Sequence, residues 1–179
     1  VSISAHVKSL FAPEKEINLI NEETELVNLT MLMSDKKRRT FEKKIGDELN
    51  TSKRWHSTII EPNKYEKVKF IINEDTLKGK VKLKGNTLQS VEFPNLRIKL
   101  KSGKNFFDMD KFSIHLPYVK GYESEWFFHE FTSKFDLFPL KYGFINFGIN
   151  SDGKRNLYAY EEHFTSQLIN NAGFGDGVI

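Results

Sequence analysis

The sequence predicts an α+β domain in which a helix rich in aromatic residues packs on a mostly antiparallel, twisted sheet of about five strands. Two observations lead to this prediction. Several short segments alternate apolar with charged residues, as a strand with one buried face does. A further segment, residues 124–135, begins at the N-cap residue Ser124 and carries aromatic side chains at helical spacing. These are Trp126, Phe127, Phe128, Phe131 and Phe135.

The strands can be placed from their alternation. In residues 76–86 and 96–101, apolar residues alternate with Lys or Arg, so one face is predicted to be buried and the other cationic. Residues 112–116 form a further strand. Residues 142–150 and 155–160 are predicted to pair as a hairpin, because an Asp-Gly step lies between them and favours a tight turn.

The N-terminal part is organised differently. Residues 1–24 are polar and weakly periodic, which predicts an arm or linker, and residues 25–179 are predicted to form a single domain. Residues 25–33 resemble a strand, and Ser34-Asp35 offers an N-cap for a helix that ends near residues 46–50. The apolar stripe of that helix consists of Phe41, Ile45 and Leu49.

Composition excludes some classes of protein. The 16 Phe among 179 residues argue against a largely disordered chain, and no apolar run approaches the roughly 18 residues that span a bilayer. The absence of Cys excludes disulfides and thiolate metal sites. A net charge of +3 is too small to indicate a nucleic-acid-binding protein. The five His lack the HxH or HExxH spacing of a metal site, and no catalytic residue can be identified.

One pattern is compatible with nucleotide binding. The turn Lys84-Gly85-Asn86 could bring backbone N–H groups close to phosphate oxygens. Lys99 points away from the apolar face of its strand, and a helix carboxylate, Glu130 or as a second choice Glu125, could hold it for phosphate contact. The alternative is that these lysines are ordinary solvated residues of a strand.

The amino-acid sequences of several segments, taken together, resemble the CotH family of spore-coat atypical protein kinases. The strand VKLKGN is followed by LRIKL, by a segment that begins at Met and ends at Pro, by a helix that contains EWFFH, by KYGFI, and by LYAYEEHF. An acidic-Gly-x-Ile tail follows. The matching segments are residues 81–86, 96–100, 109–117, 125–129, 141–145, 157–164 and 175–179.

This resemblance implies the N-terminal, kinase-like small lobe of an enzyme that uses ATP and Mg²⁺ to phosphorylate Ser or Thr of coat or envelope proteins. Arg97 and Lys99 would contact phosphate, Glu130 would hold Lys99, and Glu161-Glu162 would lie at the connector where adenine binds. The implied nucleotide-binding residues are Lys84, Gly85, Asn86, Arg97, Lys99, Glu130, Glu161 and Glu162.

The resemblance also bears on activity and location. The catalytic aspartates and the C-terminal lobe of the family are expected beyond Ile179, so this chain alone is not expected to catalyse phosphoryl transfer. The implied location is a bacterial spore coat, the cell envelope or the secreted fraction. The alternative function is a non-catalytic structural or assembly module that docks coat or envelope proteins.

Overall fold

The computed structural model describes residues 26–55, 64–84, 93–101, 106–121, 123–135, 140–150 and 154–171. Within these ranges, the helices are α1 (Asp35–Trp55), α2 (Glu123–Lys134) and α3 (Ser166–Asn171), and a 3-10 turn, Pro117–Lys120, precedes α2. The strands are β1 (Asn28–Leu32), β2 (Glu66–Ile72), β3 (Asp75–Leu83), β4 (Leu96–Leu100), β5 (Lys111–His115), β6 (Tyr142–Ile149) and β7 (Arg155–Glu162).

The strands form a closed barrel in the order β1-β2-β3-β4-β5-β7-β6. The barrel closes where β1 pairs in parallel with β6, from Asn28 opposite Asn146 to Met31 opposite Ile149. All the other neighbouring strands in this order pair antiparallel. The side-chain amide of Asn146 donates a hydrogen bond of 3.0 Å to Oδ1 of Asn28 at this seam.

The predicted α+β fold, a kinase-like small lobe with a sheet of about five strands, is therefore wrong. Residues 25–33 do not pack on the sheet from outside but supply strand β1 within it, next to β2. A sheet with two free edges would leave rows of unpaired backbone N–H and C=O groups. Closure through β1 and β6 satisfies these groups, and it turns the apolar face of every strand towards a common interior.

The inward-facing side chains of the strands fill this interior. The alternation predicted for residues 96–101 is confirmed, because Leu96, Ile98 and Leu100 are buried whereas Lys99 is exposed. The inward-facing residues of the neighbouring strands are buried in the same way and belong to the same apolar cluster. Their largest fully buried side chains include Phe70, Phe112, Ile114, Ile145 and Tyr158.

Helix α1 packs on this cluster through one narrow stripe. Phe41 and Ile45 are buried, as the sequence predicts, and the side chain of Leu49 lies outside the described residues. The helix continues to Trp55, beyond its predicted end at residues 46–50. Gly46 does not end it, because a single glycine inside a helix costs only about 1 kcal/mol relative to alanine.

Helix α2 lies outside the barrel, with its aromatic side chains turned to solvent. The prediction that Trp126, Phe128 and Phe131 pack on the sheet is wrong, because these side chains are 40%, 60% and 50% exposed. The helix instead contacts β6 through polar residues: His129 stacks on Tyr142 at 5.1 Å between ring centroids, and Thr132 is buried. Because the barrel encloses its own apolar face, no aromatic helix is needed to cover it.

The predicted hairpin is confirmed. Strand β6 pairs antiparallel with β7 from Tyr142 opposite Glu161 to Gly148 opposite Arg155. The Asp-Gly turn expected between them, at residues 151–153, lies outside the described residues. Among the helices in the described part of the chain, none combines the length and apolar character needed to cross a bilayer.

Candidate anion-binding site

A polar row crosses the outer face of the barrel. In register, Arg97 of β4 lies opposite Ser113 of β5, Ser113 lies opposite Glu161 of β7, and Glu161 lies opposite Tyr142 of β6. Residues directly opposite on antiparallel strands have Cβ atoms about 5 Å apart, so these side chains are neighbours. We refer to this row and the side chains in contact with it as the outer cluster: Lys84, Arg97, Ser113, His115, Tyr142, Glu161 and His163.

An ion pair fixes one side of the outer cluster. Lys84 follows β3, and its backbone N–H donates to the carbonyl oxygen of Asn95 at 2.9 Å. Its ammonium donates to Oε2 of Glu161 at 2.6 Å, and both side chains are 19% exposed. Burial raises the pKa of Glu161, but the hydrogen bond and positive charge of Lys84, helped by Lys120, outweigh burial and hold this pKa below its usual value. Glu161 is therefore ionised at neutral pH.

A serine–histidine contact lies at the centre of the outer cluster. The hydroxyl oxygen of Ser113 is 2.5 Å from Nε2 of His163, whose backbone N–H donates to the carbonyl oxygen of Lys111. Burial lowers the pKa of His163 to about 4, and the positive charges of Arg97, Lys84 and Lys111 add to this effect. His163 is thus neutral at pH 7. Ser113 is fully buried, so its hydroxyl is not accessible as a nucleophile.

Two nitrogen atoms of the outer cluster are buried without a hydrogen-bond partner in the described part of the chain. They are Nε of Arg97 and Nδ1 of His115. His115 is 1% exposed, and its Nε2 lies 3.4 Å from the hydroxyl of Tyr142. Burial, followed by the charges of Lys84 and Lys120, lowers the pKa of His115 to about 4. A buried donor without an acceptor costs about 1–3 kcal/mol.

The chemistry of the outer cluster favours an anion. Lys84 and Arg97 bring two positive charges, Glu161 neutralises one of them, and both histidines stay neutral at pH 7. Arginine donates several N–H groups in a fixed plane, and these groups match the oxygens of phosphate. The arrangement can therefore bind and orient a phosphate group.

The residues predicted for nucleotide binding do not all lie together. Lys84, Arg97 and Glu161 belong to the outer cluster. Lys99 instead lines a large cleft beside β3, whereas Glu130 lines a smaller cavity next to His129 and Tyr160. Gly85 and Asn86 lie outside the described residues.

The two predicted carboxylate partners of Lys99 have other positions. Glu125, the second choice, accepts from the ammonium of Lys120 at 3.2 Å. Neither Glu130 nor Glu125 forms an ion pair with Lys99 among the described contacts, so the lysine fixed by a carboxylate is Lys84 rather than Lys99. Glu162, predicted beside adenine, is 3% exposed and accepts from the backbone N–H of Lys141 at 3.1 Å. Burial raises its pKa.

The residues that sequence reasoning did not assign to this site are Ser113, His115, Tyr142 and His163. No local pattern could have found them, because they come from strands whose register is set by long-range pairing. The described residues contain no group of three or more His, Asp or Glu side chains that could hold a metal ion, so this part of the chain identifies no Mg²⁺ ligand. What the outer cluster offers is a set of cationic donors for an anion.

No protein-family model matches the chain, and a comparison with curated proteins gives no match either. The resemblance to the CotH family therefore stays a hypothesis that depends on the sequence segments themselves.

Proposed function

We propose that this chain binds the phosphate groups of a nucleotide at the outer cluster, as the nucleotide-binding part of a CotH-like atypical protein kinase. The observation that supports this most directly is the 2.6 Å ion pair of Lys84 and Glu161 beside Arg97. In nucleotide-dependent phosphotransferases, a lysine held by a glutamate is oriented in advance for phosphate, which lowers the cost of reorganisation on binding.

Five residues of the outer cluster have distinct roles in this proposal. Lys84 contacts phosphate as a point charge, and Glu161 keeps its ammonium in place. Arg97, whose side chain is partly exposed, offers guanidinium donors to the phosphate oxygens. His163 contacts the hydroxyl of Ser113 and, because it is neutral at pH 7, adds no charge to the site. ATP would supply the phosphoryl group, and the residues described here bind and orient it.

The test is the affinity of the chain for ATP, measured by calorimetry with and without added Mg²⁺. We expect Arg97→Gln to weaken ATP binding about tenfold, the effect of losing one charge-assisted contact of about 1.4 kcal/mol. Lys84→Met combined with Glu161→Met should weaken it similarly without leaving an unpaired charge. The matched control is Lys134→Gln, at an exposed position of α2. Undetectable ATP binding, or equal affinities of the Arg97 and control variants, would refute the proposal.

A second candidate, a structural or assembly module, is favoured by the exposed aromatic side chains of α2. Phe127 is 64% exposed and stacks on Phe131 at 6.3 Å, so the helix presents a contiguous apolar surface. Large exposed apolar patches mark interaction sites on soluble proteins. Sedimentation of the chain over a wide concentration range tests self-assembly. Association that Phe127→Ser with Phe131→Ser abolishes supports this candidate, and a monomer at every concentration contradicts self-assembly.

A further inference from the structure

The lysines of the barrel are concentrated on one part of its outer face. Lys67, Lys80, Lys99 and Lys111 lie directly opposite one another across the four strands β2 to β5. A second row lies beside the first: Lys69 is opposite Lys78, whose carbonyl accepts from the backbone N–H of Lys101 at 2.9 Å. We refer to these two rows as the lysine face.

The lysine face borders a cleft of about 1080 Å³. Six lysines of the two rows line this cleft, and Lys37 of α1 completes its rim. Among the described lining residues there is no Asp or Glu. Within the described part of the chain, no lysine of the two rows forms an ion pair with a carboxylate.

Such a face is unfavourable without a ligand. Like charges directly opposite on neighbouring strands destabilise a sheet, and here one row repeats the unfavourable pair three times. A ligand with matching negative charges converts this repulsion into attraction. We propose that the lysine face binds a linear phosphate polymer, in addition to the nucleotide proposed for the outer cluster.

The dimensions favour a polymer over a single anion. Neighbouring strands are about 4.8 Å apart and alternate residues of one strand about 7 Å apart, so the first row spans about 14 Å. One phosphate group cannot contact all of these ammonium groups. A chain with phosphates at regular intervals can contact them one after another.

The type of residue fits a phosphate chain. Lysine binds phosphate as a compact point charge and does not require one fixed planar geometry. Both rows consist of lysine alone. Among the described lining residues the single aromatic ring is that of Tyr65, so the cleft has no series of platforms for stacking bases. The predicted contact is therefore with the phosphates, and it does not depend on base sequence.

The experiment measures binding of a fluorescent 20-nucleotide oligo-dT to the whole chain by anisotropy, over a range of salt concentrations. We expect Lys80→Gln with Lys99→Gln to weaken binding about tenfold or more and to reduce the salt slope by about 1.4, because each phosphate contact contributes about 0.7. The matched control is Lys43→Gln with Lys134→Gln, which removes the same charge at exposed positions outside the cleft. We expect this control to bind as the unchanged chain does.

Competitors distinguish the possible ligands. If inorganic polyphosphate displaces the oligonucleotide at equal phosphate concentration, the phosphate chain alone is recognised; if it does not, the source is a nucleic acid. Equal or better displacement by poly-L-glutamate overturns the proposal in favour of an acidic protein. Binding to phosphatidylglycerol vesicles without binding to either polymer overturns it in favour of a membrane surface. Absence of polymer binding, or an equal loss in the control variant, also overturns it.

The proposals for the two sites can be refuted independently of each other. ATP affinity depends on Lys84 and Arg97, whereas polymer affinity depends on Lys80 and Lys99. If Lys80→Gln with Lys99→Gln leaves ATP binding intact while polymer binding falls, the two sites are separate. If ATP displaces the polymer and the same lysine variants weaken both ligands equally, the polymer proposal fails and the lysine face becomes part of the nucleotide site.

Discussion

The ammonium of Lys84 lies 2.6 Å from a carboxylate oxygen of Glu161, and the two residues are 77 positions apart in the sequence. Each side chain is about four-fifths buried, so neither charge is fully compensated by water. We expect Lys84→Met to lower the free energy of unfolding by about 2 kcal/mol, because it leaves the carboxylate buried and unpaired. Replacing both residues, Lys84→Met with Glu161→Leu, should recover most of the loss. Urea denaturation at pH 7 measures both values, and a double variant less stable than the single one would contradict the pair's role.

Stability should fall as the pH is lowered from about 6.5 towards 4. The pKa of His115 is lowered from 6.5 to about 4 by burial and by the charges of Lys84 and Lys120. In this range the unfolded chain binds a proton at His115 and the folded chain does not, so acid favours unfolding. His115 contributes at most about 1.4 kcal/mol per pH unit to the slope of the free energy of unfolding against pH. His163, whose pKa is also lowered to about 4, acts in the same direction.

The measurement is a series of urea denaturations between pH 7 and 4.5. Glu162 works in the opposite direction, since burial raises its pKa and the folded chain therefore holds that proton more tightly. The contribution of His115 is thus read as the difference between the unchanged chain and His115→Gln. The variant should show the smaller loss of stability on acidification, and parallel pH profiles would show that His115 does not titrate in this way.

The exposed aromatic residues of α2 should contribute little to stability. Phe128 is 60% exposed, so we expect Phe128→Ser to change the free energy of unfolding by no more than about 0.5 kcal/mol. Phe112 is fully buried in the barrel, and Phe112→Ala should cost about 3–5 kcal/mol. Thermal and urea denaturation measure the free energy of unfolding of both variants. Similar losses at the two positions would support the packing that the sequence predicted and contradict the orientation of α2 described here.

Closure of the barrel can be tested at β1. Leu29 is fully buried between β2 and β6, so Leu29→Ala should cost about 2–5 kcal/mol. Leu26, three residues earlier, is 42% exposed, and Leu26→Ala should cost no more than about 0.5 kcal/mol. If both variants unfold at the same urea concentration, β1 does not form part of the core.

Local features of the fold could be predicted from the sequence, because they depend on a few adjacent residues. Alternation placed the strand that contains Ile98, and four-residue spacing placed Phe41 and Ile45 on the buried side of α1. The closure of the sheet into a barrel could not be obtained in this way. It depends on whether the free edge of β1 meets β6, and no residue pattern within either segment identifies its partner.

The orientation of α2 was mispredicted for a related reason. An apolar helix face is expected to turn towards the core, but the closed barrel already encloses its core, and α2 meets the outer face of β6 where His129 stacks on Tyr142. For the candidate site, the sequence analysis included Lys84, Arg97 and Glu161. It paired Lys99 with a helix carboxylate, whereas the structure pairs Lys84 with Glu161, because this pairing depends on the register across β4 and β5. The net charge of +3 likewise gave no sign that Lys67, Lys80 and Lys99 lie in one row.

The parallel seam between β1 and β6 has a consequence for biosynthesis. Asn28 and Asn146 are 118 residues apart, so β1 leaves the ribosome long before its second neighbour is made. At about 5–20 residues per second, this interval lasts about 6–24 s. Throughout it, β1 can pair only with β2, and its other edge offers free N–H and C=O groups to any extended chain nearby. The nascent barrel therefore passes through an open state in which β1, the first of the described strands to be made, keeps one unpaired edge until β6 follows.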